Sequence, residues 1–144
     1  MAFTGQLAVI TGGGSGMGQA WARQLANDGV TVAILDVNSE GMADTAAGFD
    51  SVHRFEVDIT DSEAVSAVFR DIEASLGPVE RVVNAAAIMP FGRLAEEDPR
   101  VTNKVMSVNY GGLANVATAA LPPMLERGYG DFISFSSMTG IIPG

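Results

Sequence analysis

Short apolar runs alternate with amphipathic segments along the whole chain. Leu7 to Thr11, Thr31 to Asp36, Val52 to Val57, Arg81 to Asn84 and Asp131 to Ser136 are rich in Val, Ile and Leu and predict five strands. Between them lie segments with helical spacing. One runs from about Gly16 to Asp28 and stops at Gly29, a C-cap position. A weaker one spans Ser39 to Ala47, with Ser39 as N-cap. A third, Ser62 to Leu76, carries Val65, Val68, Phe69 and Ile72 on one face and is closed by Gly77-Pro78. After an irregular loop from Ala85 to Pro99, a long helix is expected over Val101 to Ala120, with Pro122-Pro123 beyond it. Strict alternation of strand and helix predicts an α/β fold, a doubly wound parallel sheet covered on both faces. Right-handed crossovers give it the strand order 3-2-1-4-5. No repeat, linker or low-complexity tract divides the chain, so residues 1–144 read as one domain.

The turn after the first strand changes this from a fold into a site. Thr11-Gly12-Gly13-Gly14-Ser15-Gly16-Met17-Gly18 joins strand one to helix one, and Asp36 ends strand two 24 residues after Gly12. Strand, glycine turn, helix, strand and acid in that order are the layout of a Rossmann-type dinucleotide site. Gly12 permits a tight turn, Gly16 leaves room for a pyrophosphate, and Gly18 lets the helix pack closely. The helix N-terminus adds free N–H groups and a partial positive charge. Asp36 can accept hydrogen bonds from the adenosine ribose and would repel a 2′-phosphate, and Ser15, Val37 and Asn38 nearby are not basic. NAD is therefore expected rather than NADP. Asp58, Asn84 and Ser137 also fall at the carboxyl ends of strands, where the ligand crevice of such a sheet lies.

Composition narrows the partners. The net charge of −9, without a basic cluster, argues against nucleic acid and anionic membranes. With no cysteine, thiol catalysis and Cys-ligated zinc are excluded, and a single His53 cannot build a histidine metal cluster. No metal site is expected. No apolar run approaches the ~20 residues of a membrane helix. The first strand begins by Leu7, leaving no room for a signal peptide, so a cytoplasmic location is expected. Mean hydropathy is +0.24, apolar enough to point to buried strands or a partner surface.

Five motifs in order resemble the short-chain dehydrogenase/reductase family over essentially the whole chain. Thr11 to Gly18 is similar to its T-G-x-x-x-G-x-G turn. Asp58, followed by Ile59, resembles its adenine-contacting acid. Asn84-Ala85-Ala86-Ala87 resembles its N-x-A-G, with Ala87 in place of the glycine. Asn109, in Asn109-Tyr110-Gly111-Gly112, resembles its active-site asparagine, and Ser137, in Ser136-Ser137-Met138-Thr139-Gly140, its catalytic serine. The resemblance implies hydride transfer between nicotinamide and a small alcohol or ketone. Ser137 would orient the substrate oxygen and Asn109 would support a proton relay. The implied cofactor contacts are Thr11, Gly12, Ser15, Gly16, Met17, Gly18, Asp36, Asp58, Ile59, Asn84, Ala85 and Ala86.

The family's Tyr-x-x-x-Lys pair, which follows the serine, is not matched. Tyr110 and Tyr129 both precede Ser137, Lys104 is the only lysine, and seven residues follow Ser137. The expectation is thus the amino-terminal part of an NAD-dependent oxidoreductase, truncated after strand five and without turnover by itself. Its fifth strand, Phe132 to Ser136, would be an exposed edge that invites another chain, either a second copy or a complementing one. The other readings are a non-catalytic NAD- or partner-binding module and a structural half completed by another chain. The loop Ile88 to Asp98 offers Met89, Pro90, Phe91 and Leu94 as apolar substrate contacts.

Overall fold

The structure, a computed structural model, describes residues 3–137. Five parallel strands form one sheet in the order β3-β2-β1-β4-β5, the order expected from the alternation. They are β1 (Leu7–Thr11), β2 (Thr31–Asp36), β3 (Val52–Glu56), β4 (Arg81–Asn84) and β5 (Asp131–Ser134). The helices are α1 (Gly16–Asn27), α2 (Ser39–Ala46), α3 (Ser62–Leu76), α4 (Pro99–Met106) and α5 (Leu113–Arg127). A 3-10 turn, Leu94–Glu96, precedes α4.

Because strand side chains alternate, each strand feeds two cores. On one face Leu7, Val9, Leu35 and Val82 pack with Val65, Phe69 and Ile72 of α3 and Val116, Ala120 and Met124 of α5. On the other, Ala8, Ile10, Val32, Ile34 and Val83 pack with Ala22 and Leu25 of α1 and Met42 of α2. Every residue of β1 is buried, as a central strand covered on both sides requires. The ladder aligns Thr11 with Leu35 on one side and Asn84 on the other, and Asn84 with Ser134. This row is the carboxyl edge of the sheet.

Several boundaries differ from the sequence pattern. The cap of α2 is Asn38, not Ser39: the Asn38 Oδ1 accepts from Gly41 N at 2.9 Å, and Ser39 is already helical. Strand β5 ends at Ser134, because β4, its partner, ends at Asn84. The expected single helix over 101–120 starts earlier, at Pro99. There Asp98 caps the Arg100 N–H and proline occupies a first-turn position that needs no donor. It is interrupted by a π-helical turn, Ser107–Gly112, and continues through Pro122 and Pro123 to Arg127.

Prolines inside a helix remove hydrogen bonds and normally break it. Here Val116, Ala120 and Met124 form a buried stripe against α3, so tertiary packing holds the helix through the gap. Arg127 pins its end, with Nη1 donating to Glu73 Oε1 at 2.9 Å and Nη2 to the Val79 carbonyl at 2.8 Å. Gly128, at φ 75°, then terminates it.

Ile72 is fully buried where α3 meets the sheet. Ile72→Ala is expected to cost about 2–5 kcal/mol in a urea denaturation. A loss below about 0.5 kcal/mol would contradict this packing.

Candidate functional site

At the carboxyl edge the chain leaves β1 through Gly12 at φ +69°, a left-handed conformation. A Cβ on Gly12 would lie 2.8 Å from the Ala86 Cα and N, so no side chain fits between this turn and the segment after β4. A Cβ on Gly18 would lie 2.1 Å from the Gly12 carbonyl oxygen, which presses α1 against the same turn. Gly16 is different. It sits at φ +52°, and nothing lies within 4 Å of where its Cβ would be. Two of the glycines serve backbone packing, and the third borders open space.

The loop is held by strand β2 and helix α2. Gly12 N donates to the Leu35 carbonyl at 2.8 Å. Gly14 N donates to Asp36 Oδ2 at 2.9 Å, while Asn38 N donates to Asp36 Oδ1 at 2.9 Å. The buried Thr45 hydroxyl donates to the Gly13 carbonyl at 2.8 Å. From the other side, the buried Thr11 hydroxyl donates to Asn84 Oδ1 at 3.0 Å and accepts from Ala86 N at 3.1 Å. The loop is therefore fixed at both ends before any ligand arrives. The Ser15 side chain makes no capping bond to α1, so the first-turn N–H groups of that helix are not taken up by its N-cap.

These elements border a cleft of about 420 Å³, within the usual range for small-molecule sites. Gly12, Ser15, Gly16 and Met17 line it from the loop, Leu35, Asp36 and Val37 from β2, and Val57, Asp58 and Ile59 from the segment after β3. Ala85, Ala86, Ala87 and Ile88 line it after β4, with Lys104 and Val108 from the helices. Of the sequence-derived candidates, Gly12, Ser15, Gly16, Met17, Asp36, Asp58, Ile59, Ala85 and Ala86 thus meet in one place. Thr11, Gly18 and Asn84 do not line it; they lie beneath as supports.

Asp58 is held below the ordinary carboxylate range. The Thr60 N–H is the main cause, then the Thr60 hydroxyl; partial burial opposes them, and the Lys104 charge adds the smallest contribution. Both Thr60 groups bond Oδ1, at 2.9 and 2.7 Å.

Asn109 lies in the π-helical turn, a distortion that often marks functional positions. Its side chain grips one residue of the loop after β4: Oδ1 accepts from Ile88 N and Nδ2 donates to the Ile88 carbonyl, both at 2.9 Å. The turn sits close to the segment after β3. A Cβ on Gly112 would lie 2.4 Å from Ile59 Cδ1, and Asn115 Nδ2 donates to the Ile59 carbonyl at 2.9 Å.

Ser137 is exposed, three residues past β5, and does not line the cleft. Met138 to Gly140 of its motif lie outside the described residues. A second, shallower cleft is lined by Ile88, Met89, Pro90, Asp98, Arg100, Val101 and Lys104. Met89 and Pro90 line it, whereas Phe91 is 90% exposed and does not. Sequence reasoning missed Thr45, the π-helical turn and Lys104. Of these, only the paired Gly111-Gly112 carried a signal, that of close backbone approach.

The family model for short chain dehydrogenase matches residues 6–144. The chain belongs to the short-chain dehydrogenase family. It is 33% identical over 139 residues to a 2-dehydro-3-deoxy-L-rhamnonate dehydrogenase (NAD(+)) of Sphingomonas, covering 96% of this chain and 56% of that protein. It is 32% identical over 142 residues to 2-(S)-hydroxypropyl-CoM dehydrogenase 3 of Xanthobacter autotrophicus, covering 95% and 55%. Among solved structures, a short-chain dehydrogenase from Streptomyces avermitilis superposes with a TM-score of 0.89 at 30% identity, covering 96% of this chain and 52% of that one. A gluconate 5-dehydrogenase from Burkholderia cenocepacia, in complex with NADP and tartrate, gives 0.87 at 32%, covering 99% and 57%. The chain spans about half the length of the curated relatives it matches. The family binds nicotinamide cofactors. Among the described residues, no helix is long and apolar enough to cross a membrane.

The glycines make separable demands. Gly18→Ala is expected to lower the melting temperature by several degrees, because its methyl meets backbone. Gly16→Ala should cost only the ~1–2 kcal/mol of a left-handed non-glycine residue. A thermal melt checks both, and a harmless Gly18→Ala would contradict the close approach at Gly12.

Proposed function

We propose that the chain is the cofactor-binding portion of an NAD-dependent oxidoreductase acting on a small alcohol or ketone. The observation that carries the choice of NAD is the Asp36 carboxylate. It lines the cleft at the end of β2, and backbone N–H groups hold both of its oxygens. Each oxygen keeps a further lone pair, enough for the two hydroxyls of a ribose. A 2′-phosphate brought to the same place meets a fixed negative charge, and no cationic side chain from β2 or the loop lines the cleft there. Family membership does not decide the matter. The Sphingomonas relative is named for NAD(+), and the Burkholderia structure holds NADP.

The remaining residues fit such a cofactor. The uncapped first turn of α1 and the open space at Gly16 would take the pyrophosphate. Asp58 would accept from the adenine amine, with Ile59 beside it. Thr11 and Asn84 support the cleft from beneath, and Ala85 and Ala86, which line it, would contact the cofactor. Bound NAD supplies a hydride acceptor at the nicotinamide ring. The chain's own residues would orient the substrate: by the family resemblance the Ser137 hydroxyl would donate to the substrate oxygen, and Asn109, which sets the loop at Ile88, would support proton movement. A proton donor and acceptor of suitable pKa is also required. Tyr110 and Tyr129 lie before Ser137 in the sequence, and neither lines the cleft. These 144 residues are therefore assigned binding and orientation, not a complete turnover.

Met106, Tyr110, Leu121 and Leu125 are exposed along α4, the π-helical turn and α5. They support the reading of a homo-oligomer, since apolar side chains on one helical surface favour association.

Titration of the purified protein should show NADH bound at least about ten-fold more tightly than NADPH, and Asp36→Asn should narrow that ratio several-fold. Equal or tighter binding of NADPH by the unaltered protein would contradict the assignment to NAD.

A further inference from the structure

Lys104 stands where the two clefts meet. It and Ile88 are the residues that line both. Among the residues lining the cleft at the glycine turn it carries the only positive charge, alongside the carboxylates of Asp36 and Asp58. Arg100, the other cation nearby, is already held by Asp98, its Nε lying 3.0 and 2.9 Å from the two carboxylate oxygens.

The two cleft carboxylates are held differently. Asp36 has a backbone N–H on each oxygen. Asp58 has both Thr60 donors on Oδ1, which leaves Oδ2 without a hydrogen-bond donor among the described residues. Lys104 Nζ lies 3.9 Å from that Oδ2. The separation is too long for a hydrogen bond and short enough for charge attraction. Thr60 therefore fixes the carboxylate plane, and Lys104 biases the acceptor oxygen that remains.

We propose that Lys104 is a positioning residue for the adenosine half of the cofactor, acting through Asp58. Its charge, 3.9 Å away, draws Asp58 Oδ2 to the cleft side, where that oxygen accepts from an exocyclic amine. It also offsets part of the repulsion between two carboxylates and a dinucleotide that is itself an anion. The inference rests on the dinucleotide reading above and adds a residue that the glycine motif does not contain.

Binding of NADH and of reduced nicotinamide mononucleotide, which lacks the adenosine, is measured by fluorescence for the purified protein and its variants. Lys104→Met is expected to weaken NADH about 3- to 5-fold, the size of one partly exposed charge pair. It should leave the mononucleotide unchanged, and Lys104→Arg should restore NADH binding. In an Asp58→Asn background, Lys104→Met should add little. Lys104 is exposed, so melting curves should coincide and report that the variants fold. Unchanged NADH binding in Lys104→Met overturns the proposal. So does an equal loss for the mononucleotide, or a loss that persists in Asp58→Asn, which would place Lys104 on a phosphate instead. Failure of the unaltered protein to bind NADH would overturn the dinucleotide reading, and with it the role of Lys104.

Discussion

The close approach of three backbone segments at the end of β1 is the constraint on which the site depends. The turn at Gly12, the first turn of α1 at Gly18 and the segment at Ala86 occupy a space that leaves no room for a Cβ. Only with these segments in contact does α1 start directly above the sheet edge, its N-terminus facing the cleft. The central position of β1 follows from the same demand. A strand paired on both sides and covered on both faces cannot shift to relieve the crowding.

Around this point the polar groups act as a frame rather than as free ligand-binding atoms. Thr11, Asn84 and Ala86 tie β1 to β4. Asp36 and Thr45 tie the loop to β2 and α2. Asn109 ties the loop after β4 to the π-helical turn. Each bond fixes backbone that a ligand would otherwise have to order at an entropic cost. The groups left facing the cleft are few: the open edge at Gly16, the remaining lone pairs of Asp36, and the Asp58–Lys104 pair. Such a division between a rigid frame and a few exposed polar atoms suits recognition of a charged, extended ligand.

Much of the fold was legible because its signals are local. Strand runs, the glycine turn and the acid at Asp36 lie close together in sequence, and the strand order follows from handedness. The parts that were not legible depend on tertiary contacts. Pro122 and Pro123 read as a stop, yet α5 continues because Val116, Ala120 and Met124 pack on α3 and Arg127 anchors the end. The π-helical turn lies where Gly112 meets Ile59, a residue far earlier in the chain. Asn109 was legible as a candidate, but its grip on Ile88 was not, since the loop it holds has no periodic pattern. Lys104 is the only lysine and fits no motif. Its place beside Asp58, well before it in the chain, is a tertiary contact that no local pattern signals.

The most direct test is a map of backbone amide shifts by NMR as NAD is added to isotopically labelled protein. The account predicts the largest changes at Gly12 to Gly18, Asp36, Asp58 and Ala85 to Ala87, with little change at Asp98 to Val101. Changes centred on Asp98 to Val101, or none at the glycine turn, would contradict it.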